Sequence, residues 1–224
     1  MDSQAWNTPW KVRNELWRWL VYPRVRLLFA MNGIRWDRGW RFHGVPIIQK
    51  HRRSWMSFGP GLGLRSSPRS NPMAPNHPVV LTTWKEAARV EIGANFRMTG
   101  GGICTAERII VGNNVAVGAN TIITDMDFHP LASKQRRLES SGGRAAAIVI
   151  EDDVFIGVNY LVLKKVTIGQ GSVIGAGSVV TSDVPPHVSV TGNPARLVRK
   201  LSPRKSQLAP TLDSAVGLSS IRCE

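Results

Sequence analysis

An all-β parallel helix of six-residue units is the fold this sequence predicts, and three observations predict it. Apolar β-branched residues stand at Ile150, Ile156, Val162, Ile168, Ile174 and Val180, every sixth place without a miss. The fifth place of most units is small or valine: Val154, Val166, Ser172, Ser178 and Val184. Gly157, Gly169 and Gly175 fill the second place, where a tight corner favours a residue without Cβ. Six is neither the helical period nor simple strand alternation. Each unit therefore reads as a short strand plus a corner, three units to a triangular coil, with the β-branched residues turned inward. Glycine and β-branched residues argue against helix. Turn signals closer together than the roughly 8–12 residues of a sandwich argue against two flat sheets.

The first element is an N-terminal segment, residues 1–44. Residues 1–70 carry 13 Lys/Arg against 3 Asp/Glu, and seven of the eight tryptophans lie at or before Trp55. Trp10 to Met31 reads as helix interrupted near Pro23, a residue able to open a second helix at its first turn. Trp10, Leu16, Trp17, Leu20 and Val21 make an apolar stripe beside Lys11, Arg13, Arg18, Arg24 and Arg26. Packing of that stripe on the main domain or a neighbouring subunit is the first reading. Peripheral membrane contact through residues 1–55 is the second. A nucleic-acid partner is not expected, because no binding motif accompanies the charge.

The β-helix follows over residues 45–202. Its register is visible early, at Phe58 in FGPGLG, Ile92 in IGANFR, and then Val111, Val117 and Ile123. The spacing of 19 between Ile92 and Val111 predicts a bulge. Cys104, twelve residues after Ile92, is expected in the inward register as a small buried hydrophobe. From Ile123 to Ile150 is 27 residues, read as one coil of eighteen plus nine, with a protruding loop at 130–149. Residues 203–224 show no period and are expected to form a flexible tail.

Composition bounds the function. A chain of 224 residues that is 42% hydrophobic and 20% charged can build a core, which excludes global disorder. Two cysteines are too few for a disulfide scaffold or a cysteine zinc site, and no His-x₃₋₅-His spacing occurs, so no metal is expected. The net charge of +14 directs attention to anionic partners, including phosphorylated small molecules. Neither a signal peptide nor a spanning helix is expected, and a cytoplasmic location follows, with the inner membrane face as the second reading.

Chemistry is expected where the period breaks. His129 stands at the root of the loop in the run DMDFHP. A neutral imidazole there can take a proton from an attacking hydroxyl. Asp127, two residues earlier, is a candidate to orient that ring. For Asp127, loop structuring through backbone N–H groups is the alternative.

Three runs in order, ITDMDFHPL from Ile123, IGAGSVVTSDVPP from Ile174 and GNPARLVRK from Gly192, resemble the hexapeptide-repeat acyltransferases. The resemblance covers roughly residues 45–200. It is closest to the saccharide and polysaccharide O-acetyltransferases of the colanic acid and maltose/galactoside group. WRWLVYPRVRLLFAMNGIRW is similar to the lead-in of the colanic acid type. The resemblance implies a left-handed parallel β-helix, acetyl-CoA as acyl donor, His129 as catalytic base, and a homotrimer with its sites between neighbours. It carries the cofactor-binding positions onto Gly157, Ala176, Thr181, Ser182, Arg196 and Arg199. This chain departs from the family at Phe155, often Trp, at Ser182, often Lys or Arg, and at Val158, usually smaller or polar. Asn71, Thr99, Gly100 and Arg136, with Arg137, are the acceptor-side candidates. The expected activity is acetyl transfer to a hydroxyl of a saccharide such as an exopolysaccharide or capsule precursor. The alternatives are a non-catalytic β-helical scaffold at a membrane, or an N-acetyltransferase acting on a nucleotide-linked amino sugar.

Overall fold

The computed structural model describes residues 8–130, 132–138 and 143–202; the tail expected at 203–224 lies outside them. The chain winds round three sides in turn. β1 (Arg41–His43), β2 (Ile47–Lys50) and β3 (Trp55–Phe58) form the first coil, and β4 (Gly63–Arg65), β5 (Val80–Thr83) and β6 (Arg89–Ile92) the second. The third holds β7 (Arg97–Thr99), β8 (Gly102–Thr105) and β9 (Arg108–Val111). The fourth holds β10 (Ala116–Val117), β11 (Ile122–Thr124) and β12 (Ile148–Ile150). β13 (Phe155–Ile156), β14 (Leu161–Val162) and β15 (Thr167–Ile168) form the fifth, and β16 (Val173–Ile174) and β17 (Val179–Val180) the sixth. β18 (Val188–Thr191) closes the stack, and β19 (Arg196–Lys200) folds back antiparallel on it. Strands one coil apart pair in parallel, giving the three sheets of a left-handed β-helix.

The register explains the period. On the first side, Phe42, Leu64, Met98, Val117, Ile156, Ile174 and Val190 are paired coil by coil and none is more than 4% exposed. Burying an apolar side chain of this size stabilises by roughly 1.5–3 kcal/mol, so an unbroken column is a large share of the core. Fifth-place Val154, Val166, Ser172, Ser178 and Val184 are buried at the corners.

The N-terminal segment is one helix, α1 (Pro9–Met31), and Pro23 lies inside it without breaking it, contrary to the interruption expected. Pro23 removes one N–H, which orphans the carbonyl of Trp19; that residue is 63% exposed, so water can replace the lost bond. Val21, Val25 and Phe29, four residues apart, are the buried face of α1. Phe29 meets Trp40 and Phe42 at ring separations of 5.3 Å. α1 therefore closes the open end of the inward column. Of the predicted stripe only Val21 is buried; Trp10, Leu16, Trp17 and Leu20 border residues 67–72 but stay exposed, so the domain of their own chain leaves most of the stripe uncovered.

Several coils depart from eighteen residues, and two of them set the surroundings of His129. Ile123 pairs with Val162, 39 residues on, so the loop coil carries 21 extra residues. The nine expected from sequence is an underestimate: Ile123 and Ile150 lie on adjacent sides, and only one six-residue unit separates adjacent sides. The coil from Ile92 to Val111 is misfit at two corners. Ile103, not Cys104, takes the inward place opposite Ile123. Cys104 faces outward and is half-buried, because the corner at Gly100 and Gly101 is one residue short. The compensating extra residues lie between Thr105 and Arg108.

Candidate active site

The extra residues between β8 and β9 turn their N–H groups onto one carboxylate. Asp125 is fully buried and accepts from the backbone of Ala106 (2.7 Å), Glu107 (2.9 Å) and Arg108 (2.7 Å) and from the Thr105 hydroxyl. Asp125 is thus a structural staple between two coils. It fixes the start of the next segment, which is the root of the long loop.

That root is closed as a short antiparallel neck. Asp127 N–H donates to Arg144 at 2.9 Å, Ala146 N–H donates to Asp125 at 2.8 Å, and Met126 bridges Ala145. Gly143 is required there: a Cβ would fall 1.5 Å from the Asp127 carbonyl oxygen. Beyond the neck come exposed Phe128, exposed His129 and buried Pro130. The loop carries α2 (Ser133–Leu138), on which Arg136 and Arg137 are exposed.

His129 has no hydrogen-bonded partner among the described residues, so its imidazole is free to meet a substrate proton. Asp127 is turned to another group. Its carboxylate accepts from the Lys164 ammonium at 2.5 Å, across to the corner of the next coil. Phe128 meets Trp84 edge to face, with ring centroids 6.5 Å apart. Trp84 is half-exposed, so the pair presents aromatic surface beside His129. Sequence reasoning missed Lys164 and Trp84. Lys164 could have been found by counting six-residue units, since it sits at the corner one coil after Asp127. Trp84 is the one tryptophan after the N-terminal cluster.

Cys104 offers no nucleophile: burial, then the nearby Asp125 carboxylate, push its thiol up to about 11, so it stays protonated at neutral pH.

The other candidates fall on two edges of the prism. Thr99, Gly100, Gly157 and Ala176 lie on the edge between the first and second sides, where Asn71 donates to Thr99 at 3.4 Å. His129, Asp127, Lys164, Thr181 and Ser182 lie on the edge between the second and third sides. The full width of the second sheet separates the two sets, so one chain does not bring them together. Arg196 and Arg199 are exposed on β19 beside the last coils. The first edge is bare enough for an extended ligand to lie along the backbone: Ala176 is exposed, and a Cβ added at Gly177 would meet nothing within 4 Å. Among the described residues no helix is long and apolar enough to cross a membrane, and no group of three or more His, Cys, Asp or Glu could hold a metal ion.

Residues 147–182 match the bacterial transferase hexapeptide family of six repeats. The galactoside O-acetyltransferase of Lactococcus lactis is 38% identical over 111 residues, 50% of this chain and 51% of the relative. A 2,3,4,5-tetrahydropyridine-2,6-dicarboxylate N-acetyltransferase of Staphylococcus aureus is 36% identical over 91 residues, 41% of this chain and 33% of the relative. The chain therefore spans about half of the first relative and a third of the second. A solved galactoside acetyltransferase in complex with coenzyme A superposes with a TM-score of 0.52 at 20% identity, covering 90% of this chain and 86% of that one. That last likeness is one of fold.

Proposed function

Because the chain belongs to the hexapeptide-repeat acetyltransferase family, we propose that it transfers an acetyl group from acetyl-CoA to a saccharide hydroxyl, with His129 as general base. The observation that carries this reading is the exposed His129, without a hydrogen-bonded partner among the described residues, at a hydrogen-bonded loop root on the same edge as Thr181 and Ser182. Acetyl-CoA supplies a thioester carbonyl. His129 accepts the proton of the attacking hydroxyl and returns it to the departing sulfur, a contribution of about 10²–10⁴-fold. The small residues Gly157, Ala176, Thr181 and Ser182 suit the pantetheine arm. Arg196 and Arg199 suit the phosphates, whose oxygens match guanidinium forks. The Trp84–Phe128 surface suits the apolar face of a pyranose, and Arg136 is exposed on α2 of the same loop.

A site divided between two edges favours a homotrimer, in which the first edge of one copy faces the second edge of its neighbour. Asn71, Thr99 and Gly100 would then come to His129 from the adjacent chain. The test is thiol release from acetyl-CoA across a panel of saccharides, with a nucleotide-linked amino sugar included because an N-acetyltransferase is among the relatives. The reading expects release with at least one hydroxyl acceptor and a loss of 10²-fold or more in His129→Ala. Full transfer by His129→Ala would end the general-base role. The exposed Leu16, Trp17 and Leu20 on α1, flanked by Arg13 and Arg24, favour a second, compatible property: peripheral contact with an anionic membrane. Sedimentation with anionic vesicles, lost in Trp17→Glu/Leu20→Glu, tests it.

A further inference from the structure

On the outer face of the first sheet, beneath α1, lies a cavity of about 300 Å³ that reaches Thr99 but is otherwise lined by residues with no part in the proposed acetyl transfer. Three successive coils supply it with arginines: Arg41 from β1, Arg65 from β4 and Arg97 from β7. Gly63 stands between them in register, paired with both Arg41 and Arg97. A Cβ there would come within 3.4 Å of the Arg97 side chain, so glycine keeps the space open.

Among the described residues no carboxylate pairs with Arg41, Arg65 or Arg97. The single acid lining the cavity is Glu15 of α1, and Arg18 holds one of its oxygens at 2.7 Å. Three guanidinium charges against one carboxylate leave the lining at +2. The inner wall is His43, 8% exposed, whose Nδ1 is buried with no hydrogen-bond partner. Its Nε2 is 3.9 Å from Glu15, too far for a hydrogen bond.

We propose that this cavity binds a phosphate or diphosphate dianion, the group that joins a saccharide to a nucleotide or to a prenyl carrier. The ligand's two negative charges match the lining. Arginine forks bind phosphate oxygens bidentately. The inference concerns recognition of a phosphate group and stands independently of acetyl transfer.

The test is calorimetric titration of the full chain with inorganic pyrophosphate, in an Arg196→Gln/Arg199→Gln background that removes the arginines proposed for the coenzyme phosphates. Arg41→Gln/Arg97→Gln changes only exposed side chains, so folding is retained. Pyrophosphate is expected to bind at least 10-fold more weakly to that variant and to shift the His43 imidazole resonances of the parent. A nucleoside diphosphate and a micellar prenyl diphosphate are then compared with pyrophosphate, and any gain in affinity identifies the carrier. Equal affinity with and without Arg41 and Arg97, no measurable pyrophosphate binding, or unmoved His43 resonances would each overturn the proposal. Failure of thiol release from acetyl-CoA would leave it untouched.

Discussion

Lys164 and Asp127 form a 2.5 Å ion pair that ties the corner of one coil to the loop root of the coil before it. Asp127 is two residues from His129, so this pair, rather than a carboxylate on the imidazole, sets where the His129 backbone leaves the prism. Both side chains are about 30% exposed, at 32% and 28%, so solvent screens the pair and its worth to stability is small. Lys164→Ala is expected to lower kcat for acetyl transfer by about 10-fold while the unfolding free energy changes by less than about 1 kcal/mol. Lys164→Arg should recover most of the loss. Parallel urea melts and steady-state kinetics check this, and a stability loss matching the activity loss would reduce the pair to a structural brace.

Asp125 is the contrasting carboxylate. It is fully buried and receives three backbone N–H groups and one hydroxyl, so removing it strands four donors. Asp125→Ala is expected to destabilise by about 3 kcal/mol or more, with Asp125→Asn intermediate because the amide keeps one acceptor oxygen. Chemical denaturation of the three proteins measures it. Equal stability of wild type and Asp125→Ala would show that water satisfies the corner.

His43 gives stability a pH dependence. Burial, reinforced by Arg65, lowers its imidazole from an ordinary 6.5 to about 4. The unfolded chain takes up this proton below about pH 6.5, whereas the folded chain does so only near 4. The unfolded state therefore binds more protons across that window, and stability falls as pH drops from 6.5 towards 4. The amplitude is about 3 kcal/mol, and it is absent above and flat below the window. Urea melts between pH 7 and 4, compared with His43→Gln, isolate the slope. Saturating pyrophosphate should raise the imidazole value and shrink the slope.

What the sequence made legible follows from where residues point. The inward column from Ile150 to Val180 repeats because every one of its side chains meets the same environment one unit later. The same periodicity locates His129, which stands six residues after Ile123 where the next β-branched residue is due. Corners are less legible: Gly100 and Gly101 shorten one corner, Thr105 to Arg108 lengthen another, and the two nearly cancel in the Ile92–Val111 count. That cancellation put Cys104 in the wrong register. Pro23 misled because helix propensity assumes the lost hydrogen bond is missed, and on an exposed face of α1 it is not. Arg41, His43, Arg65 and Arg97 could not be gathered from the sequence, because irregular coils of unequal length place them side by side.

The division of the candidate site between two edges makes a quantitative prediction. Light scattering should give a particle of three 24.7 kDa chains. His129→Ala abolishes the contribution of the second edge, and Ala176→Trp obstructs the first, so each variant alone should be inactive. In an equal mixture of co-expressed chains, a site works only where an intact His129 from one copy faces an intact Ala176 from its neighbour. Random assembly produces that arrangement at about one interface in four, so about a quarter of wild-type activity should return. If His129 and Ala176 served the same site from one chain, no mixture would recover any activity, because every chain carries one of the two lesions. The recovered fraction thus separates a shared site from a private one without a structure of the assembly. A return near a quarter also requires that the two variants assemble without preference, which separation of tagged species by mass would verify on the same preparation.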